Sequence, residues 1–100
     1  MFMSREIPTT FVKPELLTEH LVSVIKPILT SMVEYPNDIE VTGKSTDHTI
    51  FLSIFSDRRD TGKIIGRQGR NINAVRTLLA AIAARLNFGI VIEVIGVLDS

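Results

Sequence analysis

The sequence predicts an α+β domain of two layers, with helices over one face of a three-stranded sheet. Three observations predict it. The chain has 100 residues, 45% of them apolar, which suits one hydrophobic core with little surplus. Apolar residues recur at spacings of three and four over two long stretches, and alternate singly over three short ones. The resulting order is helix, strand, strand, helix, helix, strand, and three short strands make a stable sheet only when helices cover its apolar face.

Residues 1–13 show no sustained periodicity and contain Pro8, so they read as a tail. From Pro14 a helical stripe begins: Leu16, Leu17, Leu21, Val24, Ile25, Ile28, Leu29, Met32 and Val33. Pro14 suits a first turn, where its missing N–H has no helical partner anyway. Pro27 removes an interior hydrogen bond, so residues 14–26 read as an extra helix, with a kink or a junction of two helices near Lys26. Pro36-Asn37-Asp38 ends the element.

Ile39 and Val41 alternate with Glu40 and Thr42 as a first strand, and Gly43 to Asp47 reads as a turn. In the second strand Ile50, Leu52 and Ile54 point one way, while Phe51, Ser53 and Phe55 point the other. That second face is less polar than a solvent-facing strand usually is, which fits a cover from the tail or from a partner, although isolated surface phenylalanines are also common. Asp57 can cap a short helix, with Asp60 near its positive end. Gly66 and Gly69 interrupt that helix after Ile65. A longer one follows from Arg70, with Ile72, Val75, Leu78, Leu79, Ile82, Ala83 and Leu86 as its stripe. Asn87 and Gly89 end it, and Ile90 to Ile95 form the last strand. The domain is thus expected over 14–96, with 97–100 as a short second tail.

Composition excludes several function classes. With no cysteine there is no disulfide, no thiol nucleophile and no cysteine-built zinc site. No apolar run approaches the ~18 residues that span a bilayer, and charge and proline break the N-terminus too early for a signal peptide. A soluble cytoplasmic protein without membrane insertion is the expectation. Net charge is zero, yet Arg58, Arg59, Lys63, Arg67, Arg70 and Arg76 face only Asp60 between positions 58 and 76. That segment carries +5 and the remainder −5, so an anion can be attracted locally. A solvated helix face would look the same by charge alone.

The informative stretch is Gly62-Lys63-Ile64-Ile65-Gly66-Arg67-Gln68-Gly69-Arg70. Two glycines three apart between helices make a turn that a polyanion can approach closely, with N–H groups of the next helix available to phosphate. Arg67 and Gln68 occupy the tip, Lys63 and Arg70 flank it, and the aliphatic pair Ile64 and Ile65 offers a wall for bases. A bare G-x-x-G is weak, since any tight turn between helices can contain it. The flanking aliphatic and basic residues and the long helix behind it strengthen the signal. The Walker pattern fails, because Ile64 follows Lys63 and position 57 holds no glycine, and the dinucleotide fingerprint fails on spacing. His20 and His48 read as surface or capping residues, and no carboxylate cluster suggests a metal. No catalytic residue, metal site or cofactor is therefore expected.

This segment resembles the KH-domain signature, in which a G-x-x-G loop joins two helices and clamps about four nucleotides of single-stranded nucleic acid. A helix and two strands before the loop, and a helix and one strand after it, look like the type II arrangement. Met32 to Val41, Gly62 to Gly69 and Gly69 to Thr77 resemble the KhpA family of small stand-alone KH proteins, a likeness that covers roughly residues 26–95. The resemblance implies single-stranded RNA binding through Lys63, Ile64, Ile65, Gly66, Arg67, Gln68, Gly69 and Arg70. It also implies an RNA-chaperone or regulatory role touching cell elongation and division. Homodimers, or heterodimers with a KhpB-like KH protein, follow from it too, with the loop region itself in the interface. The rival reading is a KH-fold protein-interaction module with little RNA binding of its own. With no tryptophan, and no aromatic in the basic segment, low sequence specificity and strong salt dependence are expected.

Overall fold

The computed structural model describes residues 13–97. Helix α1 (Pro14–Thr30) is followed by a 3-10 turn (Pro36–Asp38) and strands β1 (Glu40–Ser45) and β2 (Thr49–Asp57). A second 3-10 turn (Arg58–Asp60) leads into α2 (Thr61–Ile65), a third (Arg67–Gly69) into α3 (Arg70–Arg85), and β3 (Gly89–Val97) completes the domain. The α+β class and the element order agree with the sequence reading. The parts of the two expected tails at residues 1–12 and 98–100 lie outside the described residues.

β2 is the central strand. It pairs antiparallel with β1, from Glu40↔Phe55 to Ser45↔Ile50, and parallel with β3, from Thr49↔Gly89 to Asp57↔Val97. Antiparallel neighbours need only the short Thr46–His48 connection. Parallel neighbours need a long crossover, which here carries α2, the glycine loop and α3.

The core lies between sheet and helices. Ile50, Leu52 and Ile54 of β2 meet Leu17, Leu21, Ile25 and Leu29 of α1, Ile64 of α2, Ile72, Val75 and Leu79 of α3, and Ile92 of β3. Alternation along β2 holds as read: Phe51 on the opposite face is 41% exposed. Leu78 departs from its predicted stripe. It is 60% exposed, because Val75, Leu79 and Ala83 already fill the face of α3 that meets the sheet.

Other boundaries moved for local reasons. α1 runs as one 17-residue helix through Pro27 instead of dividing near Lys26. Pro27 forgoes the bond to the Ser23 carbonyl, but it stands in the last turn and only three helical residues follow it, so no second helix is divided off. Its carbonyl accepts from Ser31 N, Ser31 Oγ and Thr30 Oγ1, which closes the helix at Thr30 before the predicted Met32 and Val33. β1 extends through Gly43 to Ser45 because Thr46 makes the turn: its N–H donates to Thr49 O at 2.9 Å, and its Oγ1 accepts from Thr49 N at 3.0 Å. Val97 belongs to β3 and not to a tail.

Gly43 is where α1 crosses β1. A Cβ there would run into the Thr18 methyl and approach Leu52 Cδ2 to 3.1 Å. Thr18 cannot swing aside freely, since its Oγ1 donates to Pro14 O at 2.8 Å. Gly43→Ala should therefore destabilise the domain by about 1–3 kcal/mol, an overpacking cost. Adding Thr18→Ser, which deletes only the methyl, should recover most of that loss in urea unfolding. Independent, additive effects of the two changes would show that α1 does not rest on Gly43.

Candidate nucleic-acid interface

The crossover begins with an acid–base lattice. Asp57 caps the 3-10 turn as predicted, accepting Arg59 N at 2.8 Å, and the same carboxylate takes Arg59 Nε at 2.9 Å and Nη2 at 2.8 Å. The Arg59 guanidinium lies 3.9 Å from the centre of the Tyr35 ring, a cation–π contact. These bonds from Arg59, opposed by burial and helped by the charges of Arg59 and Arg58, hold the Asp57 carboxyl down to about 2.

Asp60 departs from its expected role. It is wholly buried, and instead of merely facing a helix dipole it accepts the backbone N–H groups of Glu34 (3.1 Å) and Tyr35 (2.9 Å). Lys63 Nζ adds a charged bond at 3.4 Å, and also reaches Glu34 Oε1 at 3.5 Å. Burial pushes the Asp60 carboxyl up, but the two backbone bonds and Lys63 together leave it below the ordinary value. For Lys63, burial is likewise outweighed by Glu34 and Asp60, and its ammonium is held above the ordinary value. The segment after α1 is thereby fastened to the start of α2.

The loop follows. Gly66 has φ 79°, ψ 167°, a region essentially reserved for glycine, and a Cβ there would stand 2.7 Å from Asn71 Cγ. Gln68 (φ 56°, ψ 26°) and Gly69 (φ 77°, ψ 15°) are left-handed as well. Gly69 N donates back to Gly66 O at 3.0 Å, closing the turn. Gly69 is also the residue before α3 and has no side chain to cap it, so the first N–H groups of a 16-residue helix sit beside the loop without a side-chain cap. The Arg70 N–H is taken by Arg67 O, and the helix end behind it presents partial positive charge to an anion.

The predicted site residues divide into three groups. Arg67, Gln68 and Arg70 are exposed at the tip, and neither arginine has an ion pair or hydrogen-bond partner among the described residues. Ile65 is half-buried beside them, while Ile64 has no exposed surface and belongs to the core. Lys63 lies a turn before the loop and is engaged with Glu34 and Asp60. The sequence reading missed Asp60, Glu34 and Tyr35 as a fastening set, and missed Asn71, whose Nδ2 donates to Lys63 O at 2.8 Å across the loop. An acid among six bases was the only visible signal for the first, and no signal marked the second.

Behind the loop, starting at Asn71, an open apolar groove of about 380 Å³ separates α1 from α3, with Ile28, Met32, Ala74, Leu78 and Ile82 along it. Among the described residues no group of three or more His, Asp or Glu side chains is placed to hold a metal. No helix there is long and apolar enough to cross a membrane.

Against known proteins, the model of the KhpA/KhpB KH domain matches residues 22–94, which contain β1, β2, the loop and both of its helices, and β3 as far as Val94. The chain belongs to the KhpA/KhpB KH-domain family. Relatives named RNA-binding protein KhpA include one from Bacillus subtilis, 43% identical over 63 residues, 63% of this chain and 78% of that protein. One from Listeria monocytogenes is 32% identical over 79 residues, 79% of this chain and 99% of that protein. A third, from Chlamydia caviae, is 36% identical over 67 residues, 67% and 86% of the two chains. As a KhpA/KhpB-family domain, the chain carries its G-x-x-G loop at Gly66–Gly69.

Asp57 and Asp60 are depressed in the folded state, so their stabilisation is present above the ordinary aspartate value of 3.8 and is lost as pH falls below it, for Asp57 toward about 2. Urea midpoints should hold from neutral pH to about pH 5 and drop below about pH 4, and Asp57→Asn should flatten part of that drop. An unchanged acid profile in that variant would show that the Arg59 fork contributes nothing. Separately, Ile64→Ala should cost about 2–5 kcal/mol as a core truncation, and Ile65→Ala about 1 kcal/mol. Equal losses would contradict the division of the aliphatic pair.

Proposed function

We propose that this domain binds single-stranded RNA without catalysis, with the Gly66–Gly69 loop and the first turn of α3 receiving phosphate and Arg67 and Arg70 supplying charge. The observation that carries the reading is the uncapped N-terminus of α3 behind a left-handed, glycine-bounded loop whose arginines are unpaired. Membership of a family whose relatives are named RNA-binding proteins supports it. The full proposed site comprises Lys63, Ile64, Ile65, Gly66, Arg67, Gln68, Gly69 and Arg70. Within it Ile64 acts by anchoring α2, Lys63 by tying α2 to Glu34 and Asp60, and the remainder by facing the ligand.

The finer parts of the proposal rest on the family resemblance. They are a cytoplasmic RNA chaperone or post-transcriptional regulator affecting cell elongation and division, and hence cell shape. It would work as a homodimer or with a KhpB-like KH partner. A second reading, an interaction module of KH fold, is favoured by the open α1–α3 groove and by Leu78 and Ile28, which are 60% and 40% exposed beside it.

Fluorescence anisotropy with a labelled single-stranded RNA pool tests the first reading. Affinity of the parent chain should fall with salt, with a log–log slope of about −0.7 per phosphate contacted. The double substitution Arg67→Asp with Gln68→Asp should keep the far-UV circular dichroism of the parent and weaken binding by at least about tenfold, since two carboxylates then face phosphate. A parent chain that binds no RNA at low salt would leave the interaction module as the better reading.

A further inference from the structure

A helix of five residues satisfies few of its own carbonyls. In α2 the Gly62 carbonyl is taken by Gly66 N at 2.8 Å, and the next, that of Lys63, is taken by a side chain from the far side of the loop. That donor is Asn71 Nδ2, on the second residue of α3, at 2.8 Å. An asparagine at a helix N-cap commonly accepts an N–H of its own helix, but Asn71 stands two residues beyond the N-cap Gly69. This one donates to a different helix instead.

The loop that Asn71 spans does not hold its shape by intrinsic preference. Gln68 sits in the left-handed region, which costs a residue with a Cβ roughly 1 kcal/mol or more. The turn bonds Gly69 N→Gly66 O and Arg70 N→Arg67 O are local to the loop, whereas the Asn71 bond ties together the two helices that flank it. Asn71 is also the wall on which Gly66 rests. A Cβ on Gly66 would come within 2.8 Å of Asn71 N and 2.9 Å of Asn71 Cβ. One residue thus supplies both the tie and the surface that fix where Gly66 to Gly69 can lie.

We propose that Asn71 is a positioning residue for RNA binding: its bond to the Lys63 carbonyl holds the glycine loop in the phosphate-receiving shape, with no contact between Asn71 and RNA. The proposal rests on the RNA-binding reading above. It separates two roles on one helix turn, Arg70 supplying charge and Asn71 supplying geometry.

The test uses the full chain and Asn71→Leu, which keeps the bulk against Gly66 and deletes the donor, with Asn71→Ala as a second variant that deletes the donor and trims the side chain to its Cβ, and in which the same loss is expected. Each is checked for folding by circular dichroism, then titrated against the labelled RNA pool. Backbone amide resonances of Gly66, Gln68 and Gly69 are recorded without RNA. Loss of one hydrogen bond that orders the loop corresponds to roughly a five- to tenfold drop in affinity. The expected result is that drop in Asn71→Leu, at unchanged salt slope, together with displaced and broadened loop resonances in the free protein. Parent-like affinity in the folded variant would overturn the proposal. So would a drop in affinity with loop resonances unchanged, because that pattern belongs to a direct contact. Failure of the parent chain to bind RNA would sink the RNA reading and the proposal with it, and is recognised by the parent titration alone.

Discussion

Parallel pairing of β2 with β3 is the constraint on which the rest of the domain depends. Two parallel neighbours cannot be joined by a tight turn, so the chain must leave the sheet after Asp57, cross the helix layer and return before Gly89. Every proposed RNA-binding residue, from Lys63 to Arg70, lies on that crossing. Because both ends of the crossing are fixed by strands, a kinked pair of helices can hold the Gly66–Gly69 turn at one place on the surface. The antiparallel β1–β2 hairpin has no such burden and closes with three residues held by Thr46.

The crossover is secured in two different ways along its length. At its start the securing groups are charged: Asp57 grips Arg59, and buried Asp60 gathers two backbone N–H groups and Lys63. Ile64 then pins the middle of α2 into the core by apolar burial alone. Beyond it the chain leaves the core, and the neutral bond from Asn71 takes over. The acids of this segment are thus spent on the bases that the fold needs, Arg59 and Lys63, while Arg67 and Arg70 at the tip remain unmatched. Zero net charge over the whole chain is compatible with a positive tip for this reason.

How far the sequence could be read depended on the range of the interaction behind each feature. The strands and α3 were legible because their apolar period is a local pattern, and Gly66 and Gly69 because a turn of this shape needs glycine. Leu78 was misread, since helical spacing does not tell which flank of a stripe the sheet will fill. Pro27 was read as a break because propensity does not know that only three helical residues follow it. Asp60 was legible only as a charge near a helix end, and Asn71 not at all. Their partners are 26 residues back and eight residues back in the chain, and neither separation has a periodic signature.

The left-handed turn at Arg67–Gly69 separates what the domain must keep from what it can vary. No core contact and no ion pair of the described residues runs through the side chains of Arg67, Gln68 or Arg70, whereas Gly66 is fixed by its own backbone angles and by the asparagine against it. Descendants of this sequence can therefore exchange the three exposed tip residues, trading one ligand preference for another, while the scaffold stays under unchanged selection. The same separation makes the tip a natural place for a library of substitutions. Its members would share one fold and differ in what they hold.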